Sequence, residues 1–308
     1  MTKHLDLADQ LTVQQLRTFC HVHELKSYSA AARKLNLSVP AVWEQVQSLQ
    51  RRYGVELFEK VGRGITVTLA SQQLYQILQP VLTGLDSSFE LLHSERSSPT
   101  QPITIVSGVR MMQEELAPAF RRFQREFPKT PLRILHRDNE TAQKLVADGG
   151  ADLALMLRPG PGDTYDSLTT KTVYTVDYLA VVSRRLSLSR KSNWSLEELV
   201  SHPLIIGHRG TNVRQMFEQA LHRRGLYERM QVAVETDNSA FTIAAARSSM
   251  GVGILAGVAG GPLCRGLQAR TLHDELGTAE IVCVWKRGRQ LSSAMTRWIE
   301  VLQEVDSN

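Results

Sequence analysis

The chain has 308 residues, 42% of them hydrophobic and 22% charged, with a formal net charge of +5 at pH 7. That length allows two or three units with cores of their own, and the mild positive balance permits a polyanionic partner without demanding one. Cys20, Cys264 and Cys283 form no CxxC pair, and there is neither an apolar signal core at MTKHLDLADQ nor a run of 18 apolar residues; disulfide scaffolds, zinc sites, export and membrane insertion are excluded, and a cytoplasmic protein is expected.

Residues 12–25 carry Val13, Leu16, Phe19, Cys20 and Val22 or His23 at helical spacing behind Thr12 as a cap. Helices follow at about 29–35 and 39–53, the third opened by Ser38 and Pro40 and stopped by Gly54. VELFEKVGRGITVTL then reads as a hairpin around Gly62-Arg63-Gly64. Three helices and a hairpin within about 60 residues make a winged helix-turn-helix, rich in α-helix.

Thr68 caps a further helix running to about residue 95. Leu74, Ile77, Leu78, Val81, Leu82, Leu85, Phe89 and Leu92 give it one long apolar stripe, best buried against the same helix of a second subunit. Pro80 predicts a kink or an opened turn within it, and HSERSSPTQP has linker composition. From ITIVSG onward strands and helices alternate. Strands are expected at 103–107, 132–136, 152–157, 178–183, 204–206, 231–235, 252–256 and 280–285, in a doubly wound α/β arrangement.

On the helix beginning near Val39, the stripe Val42, Val46 and Leu49 should face the core, leaving Val39, Pro40, Trp43 and Gln47 together on another face. Phosphate contacts fix register and base edges give sequence information. Gln45 and Gln47 suit adenine; Glu44 either accepts from cytosine N4 or is solvated. Trp43 either packs into the domain or lies against thymine methyls and deoxyribose. Arg63, at a glycine-flanked tip, can reach a phosphate or the minor groove. Ser38 can bind phosphate at the helix start, and Arg33, Lys34, Arg51, Arg52 and Lys60 are phosphate contacts as a group. Residues 1–70 hold nine Lys or Arg against six Asp or Glu, a net of +3, so avidity from paired domains would matter.

In the α/β part, polar-ligand sites arise where strand ends meet helix starts. Those places are Ser107, Gly108 and Arg110, then Asn139, then Thr211 and Asn212, with Thr236 or Asn238 as additions. Arg110, Arg137 and Arg209 could each pair with a carboxylate. GVGILAG follows a helical stretch and so lacks the context of a nucleotide loop. His21, His23 and Glu24 diverge on a helix, one histidine expected in the core and one exposed; GxSxG is absent. No metal or cofactor site and no convergent catalytic groups emerge, so an enzyme is not expected.

Across almost the whole chain these residues resemble the LysR-type transcriptional regulators. The likeness is carried by Leu16 and Phe19, Ser29-Ala30-Ala31-Ala32 with Leu35, Ser38 with Pro40-Ala41-Val42, Leu49, Tyr53-Gly54, Leu57-Phe58 and Thr68. Further on it rests on ITIVSG, LAPAFRRFQREFP, GGADLALM, YLAVVS and SSMGVGIL. The resemblance implies a winged helix-turn-helix at 1–70 (with Ser29 among its DNA contacts), a dimerisation helix at 71–95 and an effector-binding domain at 96–308. That domain is two-lobed and type 2 periplasmic-binding-protein-like, with lobe I about 101–172 plus 272–308 and lobe II about 173–271. It places Ser107, Gly108, Arg110, Asn139, Thr211, Asn212 and Asn238 in the cleft between lobes. It further implies double-stranded operator DNA, a small-molecule effector (an anion would suit the helix starts), a homodimer or homotetramer, and RNA polymerase as a partner. The chain departs from the family pattern at Val39, Trp43, Glu44, Gln50, Lys60 and Ser71. A cytosolic solute-binding protein of the same fold is the alternative, and it leaves residues 1–95 unexplained.

Overall fold

The computed structural model describes residues 11–62, 64–94, 102–160, 162, 164–191 and 194–304. The chain divides into two units, residues 1–93 with 286–290 and residues 94–285 with 291–308.

The first unit opens with α1 (Val13–Leu25), whose Thr12 and Gln15 cap each other's backbone. After it, α2 (Tyr28–Leu35) is capped by Ser27 and ended by Asn36 in a left-handed conformation, and α3 (Val39–Tyr53) is capped by Ser38 and ended by Gly54 at φ 67°. The hairpin pairs β1 (Phe58–Val61) with β2 (Gly64–Val67), Phe58 opposite Val67 and Val61 opposite Gly64. Phe19, Val22, Ala31, Ala32, Val42, Val46, Leu49, Leu57 and Phe58 form the core.

The helix α4 (Leu69–Ser94) passes through Pro80 as one helix. Its apolar positions divide between two faces, where the sequence suggests a single stripe. Leu78 and Leu82 are buried in the core of their own unit, with Leu74 packed beside them. Ile77, Val81, Leu85, Phe89 and Leu92 are exposed.

The second unit contains, in order, β3 (Ile103–Ser107), α5 (Val109–Glu114), α6 (Leu116–Glu126), β4 (Leu132–His136), α7 (Asn139–Ala147), β5 (Leu153–Leu157) and β6 (Leu168–Ser183). There follow α8 (Leu196–Val200), β7 (Leu204–Gly207), α9 (Asn212–Arg223), β8 (Val232–Thr236), α10 (Ser239–Arg247), β9 (Val252–Gly257), β10 (Leu267–Thr271), α11 (His273–Leu276), β11 (Thr278–Lys286) and α12 (Ser293–Gln303). The strands run in the order β4-β3-β5-β11-β6-β9-β7-β8, with β10 also on β6. One half has β3 parallel to β4 and β5; the other has β7 parallel to β8 and β9. The long β6 runs through both, which makes two doubly wound lobes sharing one strand.

Two elements differ from the sequence expectation. β6 begins at Leu168 rather than at Tyr178, and β10 is an additional strand. LTTKT is too polar to read as a strand, and LQART alternates only at Leu267 and Ala269, too short a pattern to stand out; both have partners across the sheet that supply the hydrogen bonds. In the interior of the first half, Phe123 on α6 meets Trp298 on α12 edge-on at 5.4 Å between ring centres.

Candidate functional site

Two sites follow from these frames, one on the surface of the first unit and one at the strand ends of the second. On α3, Val42, Val46 and Leu49 are fully buried. A helix that fixes one stripe this firmly also fixes its opposite face. That face presents Val39, Pro40, Trp43 and Glu44 to solvent, with Gln47 half-buried beside them. Trp43 is 50% exposed and is not part of the core. The aromatic place inside is taken by Tyr28, which stands edge-on to Phe58.

Other polar residues of α3 have internal duties. The Gln45 side-chain oxygen accepts the hydroxyl of buried Thr18 at 2.6 Å, which turns that oxygen inward. Arg51 reaches Glu44 at 2.7 Å, so an exposed cation and an exposed anion of the same helix hold each other. Ser38 accepts the Ala41 N–H at 3.3 Å as the cap. Ser29, Arg33, Lys34 and Lys60 are exposed, and Lys34 lies 3.7 Å from Glu24. Arg63 lies outside the described residues.

The sequence marked Gln50 only as a departure from the family pattern and gave it no role; it is nearly fully buried. Its side-chain oxygen accepts the N–H groups of Leu57 (2.8 Å) and Phe58 (3.2 Å), and its amide donates to Glu56 at 2.9 Å. One glutamine thereby ties α3 to the first strand of the wing. The signal was its position directly after Leu49, at the rim of the buried stripe.

Helix α1 is fastened to α4 by Arg17 on Asp86, by the Tyr75 hydroxyl on Glu24 at 3.0 Å, and by His23 with Ser71 at 3.0 Å. His23 also stacks on Tyr75, and burial lowers its pKa. Neither histidine of α1 lies in the core; His21 and His23 are both half-buried, because the helix turns that flank toward α4 and Glu24.

In the second unit every nominated cleft residue lies at or just beyond the carboxyl end of a parallel strand: Ser107 ending β3 with Gly108 and Arg110 after it, Asn139 after β4, Thr211 and Asn212 after β7, and Asn238 after β8. Most of these side chains are bonded to the chain itself. Ser107 is buried, its hydroxyl 3.5 Å from the Met111 sulfur. Asn139 donates to the Leu157 carbonyl at 3.2 Å, and the cap of α7 is Asp138. Thr211 donates to the His208 carbonyl at 2.9 Å. Asn212 donates to the Arg158 carbonyl at 3.3 Å, linking one half to the other, and accepts the Tyr178 hydroxyl at 2.7 Å. Asn238 caps α10 through the Phe241 N–H at 3.1 Å, and Thr236 meets Thr242 at 2.7 Å.

The carboxylate that Arg110 meets is the chain's own Glu115; both are buried, so this arginine does not stand open for a ligand. Of the other two arginines, Arg137 donates to the carbonyl of His136 at 2.6 Å. Tyr178 was not singled out from the sequence, because in YLAVVS it reads as one more strand residue. Burial pushes its hydroxyl up to about 12, so it acts here as a neutral donor.

Comparison with known proteins agrees with this division. A family model described as "Bacterial regulatory helix-turn-helix protein, lysR family" matches residues 13–72, and one described as "LysR substrate binding domain" matches residues 96–307. The chain is 28% identical over 273 residues to the HTH-type transcriptional regulator CfxR of Cupriavidus necator, covering 88% of this chain and 80% of that protein. It is 24% identical over 317 residues to the RuBisCO operon transcriptional regulator of Allochromatium vinosum, covering 96% and 97%. Two solved structures share its fold. Full-length CbnR complexed with its target DNA has a TM-score of 0.55 at 16% identity, covering 96% of this chain and 100% of that one. HinK, a LysR family transcriptional regulator from Pseudomonas aeruginosa, has a TM-score of 0.57 at 18% identity, covering 96% and 98%.

Proposed function

The chain belongs to the LysR family of transcriptional regulators, a DNA-binding regulator with an effector-binding domain, and from that premise we propose how its residues divide the work. The face of α3 made by Val39, Pro40, Trp43, Glu44 and Gln47 reads the major groove. Trp43 supplies apolar contact to thymine methyls and deoxyribose, and Gln47 a polar contact to a base edge. Ser29, Arg33, Lys34, Ser38, Arg51, Lys60 and Arg63 hold the backbone, and Gln45 contributes through its remaining amide. The observation that carries this reading is the 50% exposure of Trp43 opposite a fully buried Val42–Val46–Leu49 stripe.

The exposed apolar face of α4 pairs two copies, which places two recognition helices on one DNA and compensates for the modest charge of each. Pairs of dimers form a tetramer that holds the DNA bent. A small molecule enters between the lobes at Ser107, Gly108, Asn139, Thr211, Asn212 and Asn238, with Arg110 behind them. Because these side chains already bond to the chain, a ligand exchanges partners with them, and its preference for one lobe arrangement shifts the population and the DNA-binding pairs. The chain acts by binding rather than by catalysis. We place it in the cytoplasm; no helix among the described residues is long and apolar enough to cross a membrane.

A mobility-shift assay against genomic fragments, titrated with salt and competitor DNA, tests the reading. A fragment bound far more tightly than random DNA is expected. Equal affinity for all fragments overturns it.

A further inference from the structure

The second unit contains an ionic cluster built around Arg110, whose other members the reading of effector contacts does not use. Arg110 on α5, Glu115 directly before α6 and Tyr174 on β6 are buried, as is the side chain of Glu114 on α5. Arg110 pairs with Glu115, which also accepts the Tyr174 hydroxyl at 2.8 Å. Glu114 lies 3.7 Å from the same guanidinium, so two carboxyl groups share one cation. Burial pushes the Glu114 carboxyl above its usual range, against the pull of Arg110. A buried acid with half a partner is costly, and an apolar side chain in its place would pack more favourably.

What Glu114 does hold is the opposite lobe. Its carboxyl accepts the backbone N–H of Leu263 at 3.2 Å, in the short turn Pro262–Cys264 that follows β9. The carbonyl of the same Leu263 accepts from Arg247 of α10 at 2.6 Å, so the turn is pinned to its own lobe as well. Gly261 makes the approach possible: a Cβ there would come within 2.5 Å of the Glu114 carboxyl. The cluster is also short of one acceptor. Arg110 Nη2 is buried without a hydrogen-bond partner among the described residues. A network fully satisfied would lock the lobes, whereas one left with a bare donor holds them in an arrangement that can be left.

We propose that Glu114 is a latch between the two lobes: its carboxyl group holds the Leu263 turn while the lobes are together and releases it when they part. The strength of this one bond then sets how readily the domain changes shape. The proposal rests on the reading of this unit as a two-lobed effector module, and it can be tested without effector or DNA. In the full chain, hydrogen exchange read by mass spectrometry is compared for the wild type, Glu114→Ala and Glu114→Gln. With Glu114→Ala, the segment around Leu263 is expected to exchange roughly tenfold faster while the interiors of β3 and β9 keep their protection. Glu114→Gln keeps an acceptor oxygen and is expected to stay within about twofold of the wild type. Unchanged exchange in Glu114→Ala overturns the latch. So does an equal loss across β3 and β9, which would make the cluster a folding element only. Should Glu114→Ala fail to fold, Gly261→Ala displaces the carboxyl from the other side, and the same selective loss is expected; no change there also overturns it. Loss of operator specificity in the mobility-shift assay would remove the regulatory reading and leave this exchange result standing.

Discussion

The outward surface of the first unit and the strand ends of the second, which we propose as its ligand cleft, carry different kinds of group. On α3 and α4, Trp43, Val39, Val81 and Phe89 stand in solvent. In the cleft, Asn139, Thr211, Asn212 and Asn238 are each bonded to the chain. A surface that meets a rigid duplex or a second copy of itself needs no internal partners for its contact groups. A cleft that responds to a small molecule uses groups that trade one partner for another, so the response is a difference between two bonded states. Substitutions on the first should therefore alter binding and spare stability, and substitutions in the second should do both.

The largest test is on α4. Val81→Glu combined with Phe89→Glu puts charge on an exposed apolar face. Pairing of copies is expected to be lost, and operator affinity to fall by about 10²- to 10⁴-fold as avidity disappears. Light scattering and mobility shift read the two effects, and a cooperative thermal melt that no longer depends on protein concentration confirms that the face was not part of the chain's own core. A dimer that survives with full affinity breaks the comparison.

Gln50→Ala probes the exception, an inward polar group in the DNA-binding unit. It leaves the N–H groups of Leu57 and Phe58 without their acceptor, and chemical denaturation should show a loss of about 1–3 kcal/mol. In the cleft, Asn212→Ala removes the link to Arg158 and strands the Tyr178 hydroxyl. A loss of about 1 kcal/mol is expected in the same measurement. A stability equal to the wild type would show that this cleft is not held by its own side chains.

How much of this was legible beforehand depends on how local each feature is. Thr12 or Ser38 before an apolar period, and Gly54 after it, specify helix ends within a few residues, and those elements form where the pattern puts them. The first part of β6 was hidden because partners distant in sequence, not its own polar composition, make it a strand, and β10 because its alternation, Leu267 and Ala269, spans only five residues. The division of α4 into Leu78 and Leu82 inside and Ile77, Val81, Leu85, Phe89 and Leu92 outside needed the three-dimensional core, since one helical period cannot say which neighbour covers which flank. Arg110 shows the same limit in the cleft. Its place after β3 was readable, but Glu115 taking it was not, because both the arginine and its partner are polar residues that a sequence pattern leaves on the surface.

Trp43→Ser tests the recognition face with a smaller effect. The side chain is half exposed, so stability should change by less than about 0.5 kcal/mol. Binding-site selection from a random pool should instead shift preference by roughly tenfold at one or two positions, the scale of a single base contact. A variant that unfolds early while choosing the same sites would return Trp43 to a structural role.

The finest distinction lies in the pair Glu44 and Arg51, held at 2.7 Å on the surface of α3. An exposed ion pair contributes little to stability, because both groups are already well solvated and the attraction is screened. Its consequence for DNA is of another kind. While Arg51 faces Glu44, its charge is partly neutralised where a phosphate would approach. Glu44→Gln removes the competing anion and keeps the size of the side chain. Non-specific affinity at low salt should then rise, and the slope of log affinity against log salt should steepen by about one unit, the release of one further counterion. Stability should not move. If the slope is unchanged, Glu44 does not compete for Arg51, which then reaches a phosphate in both proteins or in neither. If affinity falls selectively for sites with cytosine at one position, Glu44 was reading that base, and the acid on α3 belongs to the recognition surface as a contact rather than as a brake.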